Sequence, residues 1–280
     1  MVTGSTGSLG QAVINYLQTC GDYKIIATSR NADDPKVQLD VSDHGQLAEL
    51  IRRESPRLIL HLAATFVNDF DEAYAVNVEA SRQLLETVRQ SGLGTRVLLI
   101  GSAAEYGVVY PEENPVREDH VLNPVSIYGL TKAWQTQLAG YYSACGVDTV
   151  VARVFNLEGD NLSDKLFIGR LQKQIDEVIS GSQSVIELGP LTASRDYVTI
   201  DEAAEQIHKI AEYGEAGQVY HVASGEAVVM RDILLRYLEK NKLDISIVRE
   251  SAALSNRAGY DVPVIYADVT KTSQLGTDNL

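Results

Sequence analysis

Short aliphatic and β-branched runs alternate along this chain with longer stretches of helical period, and that alternation restricts the fold more than any other feature. Ile25-Ile26, Leu58-Ile59-Leu60, Val97-Leu98-Leu99-Ile100 and Thr149-Val150-Val151 are continuous apolar runs. Helical patterns fill roughly 8–20, 43–54, 71–91, 126–144, 164–180, 200–213 and 229–240. A strand that is apolar on both faces belongs in a parallel sheet with helices on each side. The sequence thus predicts an α/β fold built on a doubly wound parallel sheet. After about residue 157 the apolar runs become sparser and the connections longer, which predicts a smaller appended region.

The first connection identifies what such a sheet would hold. Gly4-Ser5-Thr6-Gly7-Ser8-Leu9-Gly10 spaces its glycines by three, follows a short apolar run and opens a helix. Glycine permits a tight turn and close approach of backbone to a pyrophosphate, and the helix N-terminus offers free N–H groups to the anion. Gly4, Thr6, Gly7, Ser8, Leu9 and Gly10 are therefore expected to contact a dinucleotide in a Rossmann-type fold. The domain division expected is 1–156 for dinucleotide binding and 157–280 mostly for substrate, interleaved with the first. Twenty residues past Gly10, where an acid would bond a ribose 2′-hydroxyl, stands Arg30, which suits a 2′-phosphate. A solvated loop arginine is the other reading, and Asp33 and Asp34 stand close by. Asp40, with Val41, closes the third strand and can accept from an adenine amino group. NADP is thus the expected cofactor, with NAD the alternative.

Only Met1-Val2-Thr3 precede the glycine turn, so the first strand is either unusually short or partly missing. With 24 basic against 38 acidic residues, the formal net charge is −14. Nucleic acid and anionic membranes are poor partners for such a chain, and any phosphate must be held by backbone amides and single arginines. Cys20 and Cys145 lie in no paired motif and read as free thiols of a reducing, cytoplasmic compartment. No leader pattern and no run of 18 apolar residues is present, and no metal site is expected.

Tyr128 and Lys132 stand four apart at the start of a helical pattern, on one face. A lysine ammonium beside a phenol is expected to lower its pKa from about 10 toward working pH, which equips it for proton transfer at a carbinol–carbonyl centre. Ser102 ends the run Val97–Ile100 at the sheet edge where ligands gather, and its hydroxyl can bond a carbonyl oxygen. Each has a plainer reading: a chance pair, and a turn cap.

Taken together with His61-Leu62-Ala63-Ala64, Asn77-Val78 and Tyr106-Gly107, these residues resemble the extended short-chain dehydrogenase/reductases, the NAD-dependent epimerase/dehydratase family, over nearly the whole chain. The resemblance implies a catalytic triad of Ser102, Tyr128 and Lys132. It also implies cofactor contacts at Leu62, Ala63, Ala64, Asn77, Tyr128, Lys132 and Val154. Substrate contacts are expected at Ser102, Ala103, Glu105, Asn156, Arg170 and Arg195, with the Arg195 guanidinium bridging phosphate oxygens. Ile100–Gly107 with Pro111-Glu112-Glu113, Gly214–Tyr220 before Ser224-Gly225, and Asp261–Ile265 are similar to the GDP-4-keto-6-deoxy-D-mannose reductases of that family. The sequence departs from them at Leu157–Asp160 and Leu166–Ile168, and lacks their final tryptophan turn after Gly276. The 4,6-dehydratases of the family carry acids at the two positions held here by Ala103 and Ala104; Glu105 comes one residue later, which in an extended segment faces the other way.

The reading is an NADP(H)-preferring oxidoreductase that reduces a 4-keto-6-deoxy sugar nucleotide, with Tyr128 donating the proton. The alternatives are a sugar-nucleotide epimerase with tightly bound NAD, and a non-catalytic dinucleotide-sensing protein. The resemblance further implies a homodimer through a four-helix bundle. Apolar stripes at Val76, Ala80, Leu84, Val88 and at Leu130, Trp134, Leu138, Tyr141 are its candidate faces.

Overall fold

The computed structural model describes residues 1–21, 23–31, 37–254 and 262–277. In chain order its first half contains β1 (Val2–Thr3), α1 (Ser8–Thr19), β2 (Thr28–Ser29), β3 (Val37–Gln38), α2 (His44–Glu54), β4 (Leu58–His61), α3 (Phe70–Ala73), a π-helical segment (Tyr74–Glu79), α4 (Ala80–Ser91), β5 (Arg96–Ser102), α5 (Ile127–Ala144) and β6 (Thr149–Val154). There follow β7 (Asn156–Glu158), α6 (Phe167–Ile179), β8 (Ile186–Leu188), β9 (Ser194–Arg195), β10 (Tyr197–Thr199), α7 (Ile200–Tyr213), β11 (Val219–Val222), β12 (Val228–Val229), α8 (Met230–Lys240), β13 (Val248–Glu250), β14 (Val264–Ile265) and α9 (Thr270–Ser273).

β1, β4, β5, β6 and β11 form a parallel sheet in that order. β2 and β3 pair in parallel, and a parallel bridge from Val2 to Ala27 joins them to β1. Strand order therefore reverses between β1 and β4, the switch point at which doubly wound sheets bind ligands. The strands are apolar on both faces because each is covered twice. Ile59, Val97, Leu99 and Val151 point to one layer with α2, α4 and α5; Leu60, Leu98, Ile100, Val150 and Ala152 point to the other with α1 and α7. That is the period of two along each strand, carried into two cores.

The second strand pairs slightly later than its apolar run. Val2 N donates to the Ile26 carbonyl and Ser5 N to that of Thr28, because only Val2–Thr3 are extended opposite it before the chain turns at Gly4. The helical stretch at 71–91 is interrupted by the π segment, which admits one extra residue per turn and accompanies functional sites in many helices. α6 starts at Phe167, later than its pattern, because residues 163–166 first close a turn through Leu166 N and the Ser163 carbonyl.

Beyond residue 157 the chain divides its elements. α7 packs on α1 and β11 extends the central sheet, whereas α6, β8 and α8 bury Leu171, Ile175, Ile186, Ile233 and Leu234 in a separate core. β7 pairs with β10, and β9 with β12 and β14; these two- and three-residue ladders carry no periodicity that a sequence reading could detect. Of the two apolar stripes, Ala80, Leu84 and Val88 belong to the central core and are unavailable for docking. Tyr141 of the second stripe is exposed, as are Phe70 and Tyr74 of α3 and the π segment. Among the described residues no helix is long and apolar enough to cross a membrane.

Candidate active site

α1 opens at Gly7, whose extended backbone places no side-chain acceptor on the first turn. An uncapped helix start is a ready anion site. Gly4 has φ +67, and a Cβ there would stand 2.7 Å from Ala63 N; a Cβ on Gly10 would stand 2.3 Å from the Gly4 carbonyl oxygen. Only glycine lets the turn fold onto itself and onto the end of β4. Beneath it the Ser5 hydroxyl is buried with no hydrogen-bond partner. This cradle fits a dinucleotide pyrophosphate.

From the turn a cleft of about 1210 Å³ runs along the C-terminal edge of the sheet. At one end it is lined by Arg30, Asp40 and Val41, then by Gly4, Thr6, Gly7, Ser8, Leu9 and Gly10. Leu62, Ala63, Ala64 and Val154 line its middle. Asp40 accepts from the Ser42 hydroxyl and amide at 2.6 and 2.9 Å, which hold its carboxyl below the usual range, with a smaller contribution from Arg30. Asp33 and Asp34 lie outside the described residues, as does Asp261 of the tail motif.

Ser102, Tyr128 and Lys132 meet at the centre of the cleft. Ser102 ends β5 and caps a one-turn 3-10 helix, Ala103–Glu105. Tyr128 lies in the first turn of α5, which Ser126 caps by accepting from Gly129 N at 3.0 Å. Burial pushes the Tyr128 phenol well above its ordinary range, while its hydrogen bond with Ser102 works the other way. The expectation that Lys132 lowers this phenol is corrected here. Its ammonium lies 6.0 Å from the Tyr128 ring centroid and donates to Gln135 Oε1 at 2.6 Å. Lys132 itself is pushed down to about 8 by burial, against the attraction of Glu105. A phenol that keeps its proton is suited to donate one.

On the far side Ala103, Asn156 and Arg195 line the cleft, with Leu157, Leu166, Phe167 and Ile168 from the segments that depart from the reductase pattern. Asn156 is fixed by donating to the Asp196 carbonyl at 2.9 Å.

Three of the expected contact residues lie outside the cleft lining. Asn77 does not line the cleft: its buried amide accepts from Thr65 N and donates to Thr65 O and Thr131 Oγ1, clamping the loop after β4 to α5. Glu105 is fully buried beneath the triad and paired with Arg153 at 2.9 Å; the 3-10 turn rotates it inward, away from substrate. Arg170 lies on α6, outside the cleft lining.

Sequence reasoning missed Phe66, which lines the cleft and stacks on Tyr128 at 4.4 Å between ring centroids. Its signal was an aromatic two residues after the His61–Ala64 run. It also missed Asp196. Buried Asp196 accepts from Ser224, Gly225 and Ala267 amides and so holds the turn after β11 beside the cleft.

Residues 1–223 match the model of the NAD dependent epimerase/dehydratase family. The chain belongs to that family. It is a nicotinamide-dinucleotide-dependent enzyme of the short-chain dehydrogenase/reductase type. The GDP-6-deoxy-D-mannose reductase of Pseudomonas aeruginosa is 26% identical over 208 residues, 72% of this chain and 68% of its own. The dTDP-6-deoxy-L-talose 4-dehydrogenase (NAD(P)(+)) of Kitasatospora kifunensis is 26% identical over 262 residues, 90% of this chain and 81% of its own. Among solved structures, RMD from Pseudomonas aeruginosa complexed with NADPH superposes with a TM-score of 0.84 at 22% identity, over 98% of this chain and 90% of that one. The last comparison establishes the fold.

Proposed function

We propose that this enzyme reduces the C4 ketone of a 4-keto-6-deoxy sugar nucleotide of the GDP-4-keto-6-deoxy-mannose class, with NADPH preferred. The observation that carries the reading is the convergence of Ser102, Tyr128 and Lys132 in one cleft, beside Ala103 and Ala104. Reduction needs a proton donor and a group that bonds the carbonyl oxygen, and Tyr128 and Ser102 supply them. The bound nicotinamide supplies the hydride. Elimination of water across C5–C6 needs a base and an acid at those atoms, and the methyl groups of Ala103 and Ala104 do neither job. Residues 157–280 supply most of the sugar-nucleotide side, with Arg195 for the diphosphate.

A panel of 4-keto sugar nucleotides, followed by NADPH oxidation, tests the reading. Turnover is expected with a 4-keto-6-deoxy substrate, and no 4-keto product is expected from GDP-mannose or dTDP-glucose with catalytic dinucleotide. Formation of that product contradicts the assignment. Dinucleotide that stays with the protein through purification would favour an epimerase, which regenerates its cofactor in place.

The preference for NADPH rests on Arg30, exposed at the end of the cleft next to Asp40. Arg30→Asp places an acid where a 2′-phosphate would lie and is expected to reverse or erase the preference. Tighter binding of NADH than NADPH by the unaltered protein would remove Arg30 from this role.

The protein is further proposed to act as a cytoplasmic homodimer. Phe70 and Tyr74 pack edge-on against Trp134, at 6.1 and 6.0 Å, on the outer face of α3, the π segment and α5. Light scattering at micromolar concentration is expected to give twice the 30.6 kDa chain mass; a monomer mass counts against the dimer.

A further inference from the structure

The catalytic lysine is held by a residue outside the triad. Lys132 is buried, and its ammonium donates to Gln135 Oε1 at 2.6 Å, one turn along α5. Gln135 is buried as well, and its Nε2 donates to Ser81 Oγ on α4 at 2.7 Å. Ser81 Oγ in turn donates to the Asn77 carbonyl in the π segment at 2.9 Å. A glutamine in a helix interior facing a core has no hydrophobic reason to be there. Each side chain of this row is bonded to the next, and the row ends on the Asn77 carbonyl.

We propose that Gln135 is a positioning residue that holds the Lys132 ammonium in the cleft and favours its charged form. Burying an ammonium is costly unless its hydrogens find acceptors, and Gln135 Oε1 is the acceptor here. The ionisable groups around Lys132 come from three elements. Tyr128 is on α5, its ring centroid 6.0 Å away. Glu105, in the turn after β5, attracts the ammonium. His61, at the end of β4, is fully buried and neutral, so it contributes no opposing charge. Ser81 of α4 and Asn77 of the π segment, which continue the row, are uncharged. Because Ser81 fixes the amide end of Gln135, the carbonyl end is kept toward Lys132.

The inference rests on the proposed role of Lys132 beside Tyr128, but its test does not depend on the sugar nucleotide. In the full chain without substrate, the pH dependence of Lys132 labelling by a small amine-acylating reagent, resolved by peptide mass spectrometry, gives the midpoint of Lys132. Gln135→Met removes the acceptor at similar volume and is expected to lower the midpoint by about one unit or more, the size of a hydrogen bond to a charged group. Gln135→Glu is expected to raise it. Ser81→Ala, which leaves Gln135 in place but unfixed, is expected to lower it by less, and serves if Gln135→Met does not fold. Thermal unfolding of each variant identifies those that fold. Unmoved midpoints in folded variants overturn the role of Gln135. An unmoved midpoint together with full turnover of a 4-keto sugar nucleotide overturns it while leaving the reductase reading intact; shifted midpoints without turnover on the whole panel do the reverse.

Discussion

Tyr128→Phe is expected to abolish ketone reduction while leaving dinucleotide binding nearly unchanged. The phenylalanine ring keeps the stacking on Phe66, whose centroid lies 4.4 Å from that of Tyr128, so the cleft wall survives. What is lost is the hydroxyl beside Ser102, whose pKa burial pushes up. Its proton matters most as negative charge develops on the carbonyl oxygen, and only stabilisation specific to that stage accelerates the step. Loss of a positioned general acid costs about 10²–10⁴-fold. Ser102→Ala keeps the acid and removes one donor to the oxygen, a loss on the order of 10²–10³-fold. NADPH oxidation with a reducible 4-keto sugar nucleotide, alongside a fluorescence titration of NADPH, measures both effects. A Tyr128→Phe enzyme with more than about a tenth of the original turnover would place the proton donor elsewhere. The pH dependence is expected to follow the lysine. Tyr128 remains protonated beyond the ordinary phenol range, whereas Lys132 loses its charge as pH rises through about 8. Reduction is therefore expected to decline on the alkaline side near that value.

The layered fold was legible because its signals are local and repeated. β5 and β6 carry apolar runs on both faces, Val97–Ile100 and Val150–Ala152, since helices cover both, and α1, α2, α5, α7 and α8 begin within two residues of their patterns. The glycine turn was legible because sterics dictate it: Gly10 lies against the Gly4 carbonyl and nothing larger fits. The residues that lie outside the cleft lining share a different physics. Whether Glu105 faces a substrate or the core depends on one 3-10 turn, and that turn is set by Ser102 capping it and by Arg153 arriving from β6, 48 residues later. Asn77 depends on a π segment that differs from α-helix by one residue in a turn. Gln135 became visible only once α4 brought Ser81 against α5. Partners far apart in sequence decide these orientations, and composition or period does not encode them.

The buried carboxylate of Glu105 is where stability and catalysis meet, and Glu105→Ala is expected to damage both. One oxygen accepts from Ser102 N at 2.7 Å; the other accepts from Thr136 Oγ1 on α5 at 2.9 Å and pairs with Arg153 Nη2 at 2.9 Å. Arg153 is 1% exposed. Its remaining partners, the Tyr106 hydroxyl at 2.7 Å and the Glu118 carbonyl at 3.1 Å, carry no compensating charge while that hydroxyl stays protonated. Breaking a buried pair from one side leaves a stranded charge and costs about 3–5 kcal/mol, a large part of the roughly 5–15 kcal/mol that holds a protein folded. For a chain of this size, Tm is expected to fall by on the order of 10 °C. Turnover is expected to fall as well in the fraction that remains folded, because the Ser102 backbone loses its anchor beneath the cleft. The double variant Glu105→Leu, Arg153→Met separates the two effects. Removing both charges is expected to restore much of the Tm without restoring the bond to Ser102 N, so turnover stays low while stability recovers. Circular-dichroism melting and NADPH oxidation on the same preparations report both quantities. If Glu105→Ala melts with the unaltered protein, the pair contributes little to the fold; if the double variant recovers full turnover, Glu105 has no hold on Ser102 beyond keeping the chain folded.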